Sequence, residues 1–390
     1  MNAPTPMNAQ TPLVSGNTSP RFDAVREAFA LSFTDGLELG AALAVVVDGE
    51  TVVDLWGGHR TLDRSAAWES DTLVNVWSVG KGVMALAIAM LADRGQLDYS
   101  APVATYWPEF AANGKGAITV DQLMSHQAGL DGLNVPMADD DLFDWQGVVN
   151  ALAAMAPLWP PGSRCVYHPL TYGFLSGELI RRIDGRSPGR FIAEDIAKPL
   201  KLDLHRGLAA EHDSRAAHMS VGAKAYDWVR QGEQSAYPHA FRNPSLSATA
   251  PNQRAWRAAE VPGGNAHSDA RSLARLYGAL ARGGELDGVR LVSPQGLANA
   301  VAVRFDGLDA CSQAPTVFGA GFRRGAVGFG PHAGPGHFGH TGWGGSVAFA
   351  DPARGLGFAF VTNHLLGFDD GVDPRRQRML DAVYQALSIR

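Results

Sequence analysis

The sequence predicts an α+β fold: one antiparallel sheet assembled from both ends of the chain and flanked by helices, with a mostly helical domain inserted between its halves. Three observations predict it. Residues 41–47 and 51–56 are strand-like runs on either side of Asp48-Gly49-Glu50, which reads as an antiparallel hairpin. Residues 346–350 and 357–362 flank Asp351-Pro352-Ala353-Arg354-Gly355 in the same way. Between these ends, 98–285 is punctuated by proline and glycine and holds short helical patterns with few strand-like runs. The expected organisation is a flexible tail over 1–20, a sheet-containing α/β domain from 21–97 and 286–390, and a mostly helical domain over 98–285.

The elements follow in order. Residues 22–33 carry apolar side chains at 25, 28, 29 and 31, the spacing of a helix face. The run 82–91 is helical by the same test, with apolar positions at 83, 84, 86, 87, 90 and 91. Shorter helical pieces are expected over 120–125, 145–155 and 171–183, and Asp121 suits the start of the first. The stretch 205–265 reads as irregular, followed by a helix over 271–281. The chain closes with a helix over 374–387, where Pro374 occupies the first turn and its missing N–H costs nothing. There is no internal repeat and no heptad array.

Composition excludes several function classes. Of 390 residues, 46% are apolar and 18% charged, with net charge -6 and no Lys/Arg block, so nucleic acid is not an expected partner. Two cysteines, Cys165 and Cys311, are too few for a disulfide framework and point to a reducing compartment. Residues 1–20 have neither a charged residue nor an apolar core, so they read as neither a signal peptide nor a membrane span. No apolar run of membrane-spanning length occurs. The expectation is a soluble, cytoplasmic protein, with nothing to set its oligomeric state.

Chemistry concentrates at Ser78-Val79-Gly80-Lys81, which opens the apolar helix. A serine and a lysine three apart share one helix face, where their side chains meet. A hydroxyl becomes nucleophilic only when a base takes its proton, and a lysine is such a base once burial lowers its pKa. Taken alone, the four residues more often describe a surface Ser and Lys near a helix start. A second group, Tyr167-His168-Pro169, follows the Pro160-Pro161-Gly162 turn and leads into a helix. A third, 336–345, is glycine-dense and contains His337, His340, Thr341 and Trp343 directly before a strand. Glycines there permit close approach to backbone N–H groups that can receive a negative oxygen. No His-Glu-x-x-His spacing suggests a metal, and no Gly-x-Ser-x-Gly elbow suggests an ordinary α/β-hydrolase.

In that order, Ser-x-x-Lys, Tyr167 and His340-Thr341-Gly342 resemble the serine β-lactamase and penicillin-binding-protein-like superfamily. Two linking phrases add to the likeness: Gly95-Gln96-Leu97-Asp98, and the Ser-His-x-x-Gly turn at Ser125-His126-Gln127-Ala128-Gly129. The likeness runs from about 22 to 388, is weakest between 205 and 260, and within the superfamily is greatest to the class-C-β-lactamase-like family VIII carboxylesterases.

The resemblance implies a β-lactamase/transpeptidase-like fold, with Ser78 as the acylated nucleophile, Lys81 as its activator and Tyr167 in proton transfer. It puts the oxyanion hole at the backbone N–H groups of Ser78 and Trp343, with Ser346 as the alternative second donor. His340, Gly342, Trp343, Trp159 and His168 are the expected substrate-binding residues, and Phe143 and Trp145 are further candidates for an apolar wall. His126 is expected to fasten a turn. Two departures bear on substrate. Pro169 stands where the related lactamases carry Asn, and His340 where they carry Lys, so contacts that anionic lactams use are missing. The implied activity is cofactor-free, metal-free hydrolysis of small, short-chain carboxylic esters through an acyl-enzyme. The rivals are a D-amino-acid peptidase or amidase, weak β-lactam hydrolysis, and a non-catalytic binding protein, which the intact Ser78, Lys81 and Tyr167 argue against.

Overall fold

In the computed structural model, which describes residues 14–388 apart from 244, 327 and 370, the two chain ends form a nine-stranded antiparallel sheet. Its strands are β1 (Val14–Thr18), β2 (Gly40–Val47), β3 (Glu50–Gly58), β4 (Phe305–Leu308), β5 (Pro315–Phe318), β6 (Arg323–Arg324), β7 (Phe338–Thr341), β8 (Val347–Asp351) and β9 (Leu356–Thr362). They lie in the order β1-β3-β2-β9-β8-β7-β6-β5-β4. Both expected hairpins are present, β2 with β3 and β8 with β9. Pairing of β2 with β9, from Val47–Leu356 to Ala41–Thr362, joins the chain ends into one sheet.

Side-chain alternation then fixes the layers. In β2, Ala41, Leu43 and Val45 point to one face, and Ala42, Ala44 and Val46 to the other, and all six are buried. A strand apolar on both faces needs cover on both. On the first face Leu43, Val45, Phe349, Phe358 and Phe360 meet helices α1 (Asp23–Thr34) and, from the far end of the chain, Pro374–Ser388. On the second, small alanines of β2, β8 and β9 let a helix at Ala270–Ala281 pack through Leu273, Ala274 and Tyr277. Val79–Asp93 forms helix α2, buried all round as far as Leu91, and it lies between that layer and the helical segments. Those segments include α3 (Val120–Met124), α4 (Trp145–Ala154) and α5 (Thr171–Asp184), close to the predicted spans. The helices at Ala270–Ala281 and Pro374–Ser388 are α6 and α7.

Two details correct the expectations. Val14–Thr18 was expected in a loose tail but pairs with β3 from Val14–Gly57 to Thr18–Val53, because an edge strand there has partners for its backbone. Residues 1–13 lie outside the described residues. Helix α6, expected within the helical domain, packs on the sheet. Asp121 lies in the first turn of α3 as expected, where a Thr119–Gln122 capping box closes the helix start and the Asp121 carboxylate also holds Arg304 at 2.6 Å.

Beyond the ends of the central strands β2 and β9, Arg375 at the start of α7 is fully buried. It donates to Glu38 (3.0 Å), Asp373 (2.8 Å) and the carbonyls of His364 (2.9 Å) and Gly344 (2.7 Å). Burial pushes the Glu38 carboxyl up to about 7 even with Arg375 beside it. Arg375→Ala would strand two buried acids. It is expected to cost about 3–5 kcal/mol in urea unfolding, and a loss under about 1 kcal/mol would show that the cluster relaxes without its cation.

Candidate active site

The site begins where α2 does. Trp77 is not glycine, yet its φ of 52° lies in the left-handed region, a conformation that costs on the order of 1 kcal/mol or more and persists only when its surroundings hold it. Here they do: the Trp77 ring is buried against Trp256 (5.9 Å) and Trp343 (4.9 Å). This kink turns the chain into α2, and Ser78 stays partly exposed at the helix mouth while Lys81 is fully buried one turn deeper.

The Lys81 amine has three neighbours at 2.7 Å: the Ser78 hydroxyl and the carbonyl oxygens of Pro169 and Gly263. Burial, then the charges of Arg206 and Arg323, hold it well below the usual lysine range. A neutral amine has two N–H donors and one lone pair. Two carbonyls take the donors, which leaves the lone pair for the Ser78 O–H. The geometry therefore suits a base, and among the described residues no carboxylate stands by to keep the amine charged. Where Pro169 removes the asparagine side chain of related lactamases, its own backbone carbonyl supplies a contact to Lys81.

Tyr167 is held from its backbone outward. Its N–H donates to Asp309 Oδ2 at 2.8 Å. On either side, the Val166 N–H donates to the His126 carbonyl (3.1 Å) and the His168 N–H to His126 Nδ1 (3.1 Å). His126 thus fastens this turn, itself in a left-handed conformation at φ 63°. The half-buried Tyr167 ring lies 4.9 Å from the Lys81 amine, with its phenol beside the Ser78 hydroxyl. Burial pushes that phenol up to about 12, against the pull of Ser78 and Arg323, so it rests protonated at neutral pH.

The third segment closes the site from the sheet. Gly342, just past β7, sits so close to the Val76 carbonyl that an added Cβ would lie 2.5 Å from its oxygen. The glycine brings the strand end against the residues that precede Ser78. Gly344 and Gly345 follow with φ of 82° and 135°, and Arg375 pins the Gly344 carbonyl from below. On this arch the half-buried Trp343 ring packs against Trp77, Tyr226 (5.2 Å) and Trp228 (5.5 Å), and its indole N–H donates to the Ala225 carbonyl (2.7 Å). Ser346 is buried, with its hydroxyl accepting from the Thr362 N–H.

Ser78, Lys81, Tyr167, His340, Gly342 and Trp343 are therefore brought together, but other expected site residues are not. His168 is buried with both ring nitrogens engaged, Nδ1 on the Val166 carbonyl (2.6 Å) and Nε2 on the Leu130 N–H (3.3 Å), so it braces the loop and does not face substrate. Trp159 packs behind it, buried against His168 and Tyr237. Trp145 is bound by its indole N–H to Glu178 and packs at a tilt against Phe174, and Phe143 joins the same core. His340 is buried beside Tyr167 (6.0 Å), and burial with Lys81 and Arg323 nearby holds it neutral. Sequence reasoning missed Trp77, Gly263, Arg206, Asp309 and Arg323. Of these only Gly263 has a local signal, the paired glycines of Pro262-Gly263-Gly264, which permit close approach to other backbone.

Residues 29–382 match the family model described as Beta-lactamase. The chain belongs to the beta-lactamase family. It is 38% identical over 364 residues to the Esterase/beta-lactamase LipL of Mycobacterium tuberculosis, covering 90% of this chain and 83% of that protein. Among solved structures, a family VIII carboxylesterase superposes with TM-score 0.89 at 40% identity, covering 96% of this chain and all 100% of the other. A penicillin-binding protein homolog from Caulobacter crescentus does so with TM-score 0.86 at 42% identity, covering 96% and 100%. Within the beta-lactamase family the chain thus stands with the family VIII carboxylesterase-like members, and it is a serine hydrolase of this fold. Among the described residues, no helix is long and apolar enough to cross a membrane.

Proposed function

We propose that this chain is a carboxylesterase that cleaves small, short-chain esters through an acyl-enzyme on Ser78. The observation that carries the reading is the Lys81 amine, buried at 2.7 Å from the Ser78 hydroxyl and from two carbonyls. In the acylation step the Ser78 proton passes to the Lys81 lone pair as Oγ bonds to the ester carbon. The oxyanion is received by the N–H groups of Ser78 and Trp343, each worth roughly 3 kcal/mol of barrier. Tyr167 then hands a proton to the departing alkoxide and recovers one from Lys81. Water repeats the sequence on the acyl-enzyme and frees the acid. The half-buried Trp343 offers an apolar wall to the ester. We place the enzyme in the cytoplasm, in keeping with Cys165 and Cys311, which are both free thiols. We also keep the division into a sheet domain and an inserted helical domain as the frame of the cleft, with α6 moved to the sheet side.

Substrate preference tests the reading. A neutral His340 gives an anionic lactam no cation at that position, whereas a neutral ester gains from the apolar wall at about 0.8 kcal/mol per buried methylene. For acetyl or butyryl esters of a good leaving alcohol, kcat/KM is expected to exceed that for a chromogenic cephalosporin or a D-alanyl peptide by at least ~10³, about 4 kcal/mol in barrier. Equal values for a D-alanyl peptide and a butyryl ester would replace the esterase with a peptidase. The double name of the LipL relative favours slow β-lactam turnover as the second reading.

A further inference from the structure

A buried arginine without a carboxylate stands behind the Lys81 amine. Arg206 is only 5% exposed and forms no ion pair among the described residues. Its Nη1 donates to the Pro262 carbonyl at 2.6 Å and its Nη2 to the Gly80 carbonyl, while Nε is buried with no acceptor. Glu260, the acid whose field it feels, spends its carboxylate on the Ser187 hydroxyl (2.6 Å) and the Gly189 N–H (2.8 Å). Removing a cation from water without a partner costs several kcal/mol, so its retention calls for a reason.

The reason lies in what the guanidinium joins. Gly80 precedes Lys81, and Pro262 precedes Gly263, whose carbonyl accepts from the Lys81 amine. One rigid planar fork thus ties the helix turn that carries the amine to the loop that receives it. We propose that Arg206 is a positioning residue for the reaction, which fixes the Lys81 amine between its two carbonyls and sets a permanent positive charge behind it. This rests on the reading of Lys81 as the base.

The surroundings agree in sign. Facing Lys81 are Ser78 at the start of α2, His126 on its turn, Tyr167 and His168 on the next loop, Arg323 on β6, His340 on β7, and Arg206. None is a carboxylate, and Asp309 is engaged with the Tyr167 backbone. Burial acts first on the amine, then Arg206, then Arg323. Arg206 itself is brought down to about 10 by burial, still charged at neutral pH.

The test is the pH dependence of two rates, fluorophosphonate labelling of Ser78 and kcat/KM for a butyryl ester. Both fall on acidification as Lys81 gains a proton. In Arg206→Met the lost cation raises the affinity of Lys81 for that proton, so the acid limb is expected to move up by ~1 pH unit while labelling at high pH persists. In Arg206→Lys the charge stays but the fork is lost, so the limb is expected to hold its position and the plateau to fall. Gly80→Ala serves if Arg206→Met does not fold: its new Cβ would lie 2.5 Å from Nη2 and 2.7 Å from the Ala266 Cβ, and the guanidinium, the longer side chain, is displaced from the Gly80 carbonyl, again moving the limb upward. A limb unchanged in Arg206→Met or Gly80→Ala, or moved as far in Arg206→Lys, overturns the proposal. Loss of Ser78 labelling in the native enzyme at every pH would instead overturn the esterase reading.

Discussion

Ser78→Ala is expected to lower kcat/KM for butyryl esters by roughly 10⁴ to 10⁶. The loss is large because, among the described residues, no other hydroxyl is hydrogen-bonded to the Lys81 amine, whose remaining hydrogen bonds go to backbone carbonyls. What survives is catalysis by binding and by the oxyanion donors alone. The fold is expected to survive too, since the substitution removes one hydrogen bond at a partly exposed position, a cost of about 1 kcal/mol. Intact-mass analysis after a fluorophosphonate probe checks the assignment: the native protein should gain one adduct, on the peptide containing residue 78, and the variant none. An adduct on another serine removes Ser78 from the mechanism.

Lys81→Ala and Tyr167→Phe are each expected to cost on the order of 10² to 10⁴ in kcat. Their double variant should lose far less than the product of the two. The amine and the phenol face one hydroxyl from two sides, so a proton that reaches either is meant for the other. Once one is gone, the second has no route to serve. A double variant that loses the full product would mean that the two act independently. Normal turnover in Tyr167→Phe would reduce that tyrosine to packing, a role its contacts with His126 and His340 also allow.

The parts of this site that the sequence made legible are those that local pattern controls. The two hairpins announce themselves by turn residues between apolar runs, α2 by its apolar spacing, and Ser78 and Lys81 by their place at its start. The rest depends on neighbours far apart along the chain. Gly263 lies 182 residues from the lysine it contacts, and Arg206 lies 126 from Gly80. No periodicity encodes those approaches, and Arg206 falls in the stretch that read as irregular. His168 misled for the opposite reason: its place beside Tyr167 suggested the pocket, but adjacent residues on an extended loop point to opposite sides, and it faces inward. The strain at Trp77 leaves no mark in the sequence, because it is imposed by Trp256 and Trp343.

The pairing of β2 with β9 bears on how the protein is made. Ser78 and Lys81 leave the ribosome early, but the neighbours that give them a purpose leave late. Until synthesis passes Thr362, β2 is a strand apolar on both faces with an open edge toward its missing partner, the kind of surface that chaperones hold and that aggregates if they do not. Joining strands so distant in the chain is also slow, because a long loop must close before the contacts return anything. The nascent chain therefore carries its serine in an inert form, and reactivity arrives with the last strands rather than with the nucleophile.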